Sequence, residues 1–95
     1  MAAVRHLALI AYDVSDNRDR RKLAEFLEEH MTRVQGSLFE GWLTRAEANR
    51  IARLAAALTG EGESVRLYLV PREGVEACRA WGFPPAPCPD GALIL

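Results

Sequence analysis

Asp13 stands at the end of an apolar run, Leu7 to Tyr12, and just ahead of a turn-and-cap segment, Ser15 to Asp19. A carboxylate between the end of a central strand and the start of a helix sits where sheet proteins commonly place functional groups. The chemistry open to it is ligation of a divalent cation, because magnesium takes only one or two carboxylates and completes its octahedron with waters and phosphates. One aspartate per chain, doubled by a two-fold axis, is then sufficient for metal-assisted phosphodiester hydrolysis. The plainer reading of Tyr-Asp-Val-Ser-Asp makes Asp13 a turn residue, with Asp16 the better helix cap by position. No Ser-His-Asp set, phosphate-cradling glycine loop or cysteine beside a histidine offers another route, so hydrolysis by this chain needs a metal.

The second group of chemistry-bearing residues is cationic. Of the 12 basic residues all but Lys22 are arginine, the side chain best suited to bidentate phosphate contacts. Arg18, Arg20 and Arg21 precede Lys22 in what reads as the first turns of a helix, where backbone N–H groups and the helix dipole also favour phosphate. Arg33 opens a later strand that is expected to lie near the first, and Phe39 and Trp42 offer rings on which bases can stack. Each has a bland counterpart. The arginines also suit a solvated helix face with local pairs such as Asp19 to Lys22 and Arg21 to Glu25, and aromatic residues in a strand are more often core. A formal net charge of −1 means that nucleic-acid binding must rest on a local patch and not on bulk charge. Cys78 and Cys88 have no histidine nearby and match neither a zinc pattern nor a disulfide framework, so both read as reduced packing residues.

These residues are positioned by a short series of elements. Arg5 to Asp13 reads as a strand that is apolar on both sides, with Leu7, Leu9 and Ala11 alternating against Ala8, Ile10 and Tyr12. Leu23, Phe26, Leu27, His30 and Met31 then recur at helical spacing with Glu25, Glu28 and Glu29 outside, His30 falling near the C-terminal end. Arg33 to Leu43 reads as a second strand, whole or broken in two around Gly36 and Gly41. Thr44 and Glu47 form a capping box for a second helix, with Ala48, Ile51, Leu54, Ala55 and Leu58 as its apolar stripe and Gly60 as its stop. Ser64 to Val70 alternates as a further strand whose ladder Pro71 ends.

The order β-α-β-β-α-β is that of an α+β, ferredoxin-like sandwich, with two helices on one face of an antiparallel sheet. Two helices cover only one face. A first strand apolar on both sides therefore predicts a second copy packed face to face on the other, and a core of 95 residues gains from such a partner. Residues 1–82 read as the domain. Residues 83–95 read as a stiff proline-rich linker that delivers Ala92-Leu93-Ile94-Leu95 as an extra C-terminal strand to the partner's sheet edge, or back onto its own protomer. No apolar run reaches the roughly eighteen residues of a membrane span, and the start MAAVRHLALIAYD has an acidic end where a signal-peptide cleavage site should be, so the expectation is a cytoplasmic protein without membrane contact.

Three segments together resemble one known family: Tyr12-Asp13-Val14-Ser15-Asp16 with the arginine-rich helix start, Arg33-Val34-Gln35-Gly36-Ser37-Leu38-Phe39-Glu40, and Ser64-Val65-Arg66-Leu67-Tyr68. Over most of residues 5 to 70 the chain is similar to the CRISPR-associated protein two family. The resemblance implies a small ferredoxin-like homodimer that joins the CRISPR integrase in acquiring new spacers, and in some members a metal-dependent endonuclease acting on RNA or DNA. By position it implies that Asp13 is the metal-binding aspartate, and that Tyr12, Arg18, Arg20, Arg33 and Phe39 fall where members have residues tied to activity or nucleic-acid contact. Two departures from the family pattern are Gly36, where a larger residue is common, and the dense prolines from Pro84 to Pro89.

Three functions follow as expectations. The first is a CRISPR adaptation protein whose dimer bridges integrase subunits and binds duplex DNA or RNA, with magnesium-dependent cleavage at paired Asp13 carboxylates. The second is a scaffold of the same assembly in which Asp13 orders a turn and the arginines only hold phosphates. The third is a toxin-like ribonuclease or a ferredoxin-like regulatory domain, the latter wanting a pocket of converging polar groups that the sequence does not display.

Overall fold

The structure, a computed structural model, describes residues 4–82. Strand β1 (Arg5–Asp13) leads into helix α1 (Asn17–Glu28), strands β2 (Thr32–Gln35) and β3 (Leu38–Thr44), helix α2 (Arg45–Ala56), strand β4 (Ser64–Val70) and a short helix α3 (Arg72–Val75). The sheet order is β2-β3-β1-β4 with every neighbouring pair antiparallel, which is the expected ferredoxin-like arrangement. The expected C-terminal strand, its proline-rich approach and Cys88 lie outside the described residues.

Local chemistry explains where the elements start. Asp16 takes an extended backbone and its Oδ1 accepts from the Asp19 N–H at 2.9 Å, capping α1 as its position predicts. Thr44 and Glu47 form the full capping box of α2, at 3.1 Å and 2.8 Å. The stops differ by a turn from the expected ones: α1 ends before His30, and α2 ends at Ala56, before Gly60. The break in the second strand segment falls at Gly36-Ser37, with a register shift between Arg33 and Gln35.

Two placements correct the sequence reading. The strand that Arg33 opens is at the sheet edge, because β3 turns back between it and β1. Past Pro71 the chain folds into α3, which packs against β1 and buries Val75. Four residues are too few to show a helical period, which is why the pattern misses it.

The core lies between the sheet and the two long helices: Ala8, Ile10, Tyr12, Phe39 and Leu43 meet Leu23, Ala24, Leu27, Ala48, Ile51 and Ala55. Strand alternation sends Leu7, Leu9, Ala11 and Asp13 to the opposite face, together with Leu38, Glu40 and Trp42 of β3 and Tyr68 and Val70 of β4. On that outer face Leu7 is buried, whereas Leu9 and Ala11 remain half-buried. A depression of about 360 Å³ there is lined by Leu7, Leu9, Leu38, Glu40, Val70 and Trp81, among others. Burial pushes the Glu40 carboxyl above its usual value.

Candidate nucleic-acid interface and metal ligand

A groove of about 520 Å³ runs along one stripe of α1, lined by Asn17, Arg20, Arg21, Ala24, Glu25 and Glu28, and is closed by Tyr12, Arg33 and Gly36. The stripe arises because these α1 positions recur every three or four residues and so share a helix face. Arg20 donates from Nη1 to the Val14 carbonyl at 3.1 Å and from Nη2 to Asn17 Oδ1, so its guanidinium is braced across the β1–α1 turn. Arg33 reaches from the other wall. Its Nη2 lies 3.3 Å from Glu28 Oε1, and its guanidinium carbon lies 5.3 Å from the centroid of the Phe39 ring. Arg21 is exposed on the same wall as Arg20, and no hydrogen bond or ion pair engages it among the described residues.

The aromatic residues serve as struts. Phe39 is fully buried, its ring centroid 6.2 Å from that of Tyr12, so of its two readings the structure shows the core one, a ring that supports Arg33. Tyr12 is 6% exposed; its hydroxyl donates to the Gly36 carbonyl at 3.2 Å, and its N–H donates to the Ser37 carbonyl at 3.1 Å. Both bonds pin the β2–β3 turn against β1. At Gly36 a Cβ would meet nothing within 4 Å, so the small residue leaves the groove mouth open and no crowding demands it. Arg18 is exposed but does not line the groove, since it lies off the stripe that contains Arg20 and Arg21.

Asp13, by contrast, is on the other side of β1. It is the last residue of the strand, exposed, paired in register with Ser64, and turned by alternation away from Tyr12 and toward the outer sheet face. The arginine groove and the carboxylate therefore flank the same strand end from opposite faces. The neighbouring acids are committed elsewhere. Glu63 Oε1 accepts from the Gly60 N–H at 2.7 Å and its Oε2 from the Asp16 N–H at 3.1 Å, which hold its carboxyl below the usual value. Partial burial, Asp16 and Glu63 raise that of Asp19. Sequence reading missed this tie between the α2–β4 loop and the start of α1; its only sign was the Gly60-Glu61-Gly62 turn, where Gly62 has a φ of 80°.

Among the described residues no group of three or more His, Cys, Asp or Glu could hold a metal ion, and no hydrogen bond or ion pair engages the Asp13 carboxylate. Asp13 thus offers a divalent cation one carboxylate free of internal bonds, outside any cluster of three or more ligating side chains among the described residues. That fits magnesium, which keeps several waters, and does not fit a closed all-protein cage.

The family model for CRISPR-associated protein Cas2 matches residues 6–77. The CRISPR-associated endoribonuclease Cas2 3 of a Synechocystis strain is 37% identical over 90 residues, covering 94% of this chain and 98% of that protein. The crystal structure of Streptococcus pyogenes Cas2 superposes with a TM-score of 0.66 at 27% identity, over 80% of this chain and 99% of that one. A chain of a partial Cas6-RT-Cas1–Cas2 complex superposes with a TM-score of 0.65 at 26% identity, over 81% and 90%.

Proposed function

The chain belongs to the CRISPR-associated protein Cas2 family, and from that premise we propose that it is a homodimeric adaptation protein that binds nucleic acid, joins the CRISPR integrase and cleaves phosphodiesters with magnesium at Asp13. The observation that carries this reading is that one end of β1 bears, on opposite faces, a carboxylate without an internal partner and a groove ringed by Arg20, Arg21 and Arg33. The arginines neutralise and orient the backbone through charge-assisted hydrogen bonds, Arg20 and Arg33 being braced before a ligand arrives. Tyr12 and Phe39 fix the turn and the ring on which that bracing depends. Asp13 holds the ion, whose contribution when bound is Lewis acidity at a phosphate oxygen and a lower pKa for a coordinated water. A second copy covering the outer sheet face contributes the second Asp13. An integrase partner is supported by the likeness to a chain of the Cas1–Cas2-containing complex, and cleavage of RNA by the name of the Synechocystis relative.

A second reading, the non-catalytic scaffold, is favoured by one observation: among the described residues Asp13 belongs to no group of three or more side chains able to hold a metal. Asp13→Asn separates the two, since it keeps size and most hydrogen-bonding capacity but removes the charge. Nuclease assays with magnesium or EDTA on folded, dimeric wild-type and Asp13→Asn protein should show cleavage only for wild type with metal, the variant falling by at least about a hundredfold. Full metal-dependent cleavage by the variant removes Asp13 as the ligand. No cleavage by wild type, with spacer acquisition intact in the variant, establishes the scaffold.

A further inference from the structure

We propose that the outward face of α2 is a second docking surface for the backbone of double-stranded nucleic acid, separate from the α1 groove; this rests on the nucleic-acid reading above. Arg45, Asn49, Arg53 and Arg50 fall within an arc of about 140° on that helix, and Arg45 and Arg53 lie about 12 Å apart along its axis. All four are exposed, and among the described residues no ion pair or hydrogen bond engages any of the three arginines. Ala46 among them and Ala56 and the C-cap Ala57 just beyond are exposed as well. Long cations thus stand on a surface without bulk.

No acid shares this arc. Glu47 points elsewhere, bound to the Thr44 N–H and 3.6 Å from Arg5, and although Arg50 is near enough to help lower its pKa, the two make no ion pair. In a chain of net charge −1, a helix face with three arginines and no carboxylate is a local concentration of positive charge that salt-bridge pairing does not explain.

The chemistry of the face selects its partner. Protein interfaces are anchored by buried aromatic or aliphatic side chains, and this arc has none, Leu54 lying on its flank at 45% exposure. Single-stranded nucleic acid is held by aromatic stacking platforms, and the arc carries no aromatic residue. A duplex backbone asks only for donors spaced along a ridge, which guanidinium groups supply. Helix α2 packs beside α1, so this face adjoins the element that carries the groove arginines.

The test uses the full chain and a labelled duplex of mixed sequence, as DNA and as RNA, titrated by fluorescence anisotropy at several salt concentrations. Replacing Arg45, Arg50 and Arg53 together by alanine keeps a strong helix former at exposed sites, so α2 persists, and circular dichroism checks it. The expected result is at least a tenfold loss of affinity at low salt. The slope of log affinity on log salt should shrink by about two to three, each phosphate contact to DNA contributing about 0.9. The corresponding triple lysine variant should recover most of the slope. Unchanged affinity and slope, with Arg20→Ala/Arg21→Ala weakened, overturns the α2 surface and leaves the nucleic-acid reading standing. No duplex binding by wild type overturns both. Normal duplex binding by the alanine variant with loss of purified integrase in a pull-down reassigns the face to a protein partner and also overturns the proposal.

Discussion

Phe39 shows at the scale of one residue how a ring that looks functional in a string of letters acquires a different task in the fold. Its sequence left a base-stacking platform open beside the commoner core role, and complete burial between Tyr12 and the Arg33 guanidinium makes it the floor beneath a cation. Phe39→Ala should therefore act on stability, at a cost of about 3–5 kcal/mol in thermal or urea unfolding. Phe39→Leu, which keeps much of the volume, should leave duplex affinity per folded molecule close to wild type. A large affinity loss in a stably folded Phe39→Leu protein would return the ring to the interface. Tyr12→Phe keeps the ring contact and removes only the bond to the Gly36 carbonyl, so a loss of about 0.5–1.5 kcal/mol is expected. The place of Asp13 at the end of β1 was legible, because an acid that ends an apolar strand is visible in one dimension. Its separation from the arginines by the thickness of β1 was not, since it depends on strand parity combined with the docking of α1.

Among the elements, those with chemical punctuation were the readable ones. The capping box at Thr44 and Glu47 and the cap at Asp16 announce helix starts through side-chain geometry that is local to four residues. The ends were less readable, because α1 and α2 close on αR residues with bonds to the preceding turn and not on glycine. Register between β2 and β3, and with it the edge position of Arg33, is set by a turn that long-range pairing to β1 stabilises through the Tyr12 N–H. The capping box carries a testable pH dependence. The Glu47 carboxyl is held below its usual 4.5 mainly by the backbone N–H and then the hydroxyl of Thr44. A depressed carboxyl contributes stability that is present above the unfolded value and is lost as pH falls through the folded one. Thr44→Ala should thus cost about 1 kcal/mol near neutral pH. Acid titrations followed by circular dichroism should show the difference between wild type and variant narrowing below pH 4.5, as the box loses its charge in both. A difference that stays constant into acid would mean that the Thr44 hydroxyl does not depress the Glu47 carboxyl, whose bond to the backbone N–H both proteins keep.

For the whole molecule the open question of design is the outer sheet face, where apolar Leu7, Leu9, Leu38 and Val70 surround the half-buried Glu40. The face was legible in the sequence as a strand apolar on both sides. The α3 segment that shields its Leu7 end was not, and neither was the carboxyl set within it. Under the proposed homodimer a second copy desolvates Glu40 further, and this gives association a definite pH dependence. Burial already raises its carboxyl above 4.5, so the compact state holds the proton more tightly than the unfolded chain. Stabilisation of this sign is full below the unfolded value and is lost as pH rises through the folded one, the reverse of Glu47. Dimerisation should accordingly be tightest in mildly acid solution and weaken toward neutrality. The window lies above 4.5, clear of the acid lability of the α2 cap. Glu40→Gln should tighten the dimer at neutral pH and flatten the profile. Sedimentation equilibrium across this range reads both effects. A wild-type constant that instead tightens as pH rises means that ionised Glu40 meets a cation across the two-fold axis. A monomer at micromolar concentration throughout removes the second copy, and with it the pairing of Asp13 carboxylates on which proposed cleavage depends.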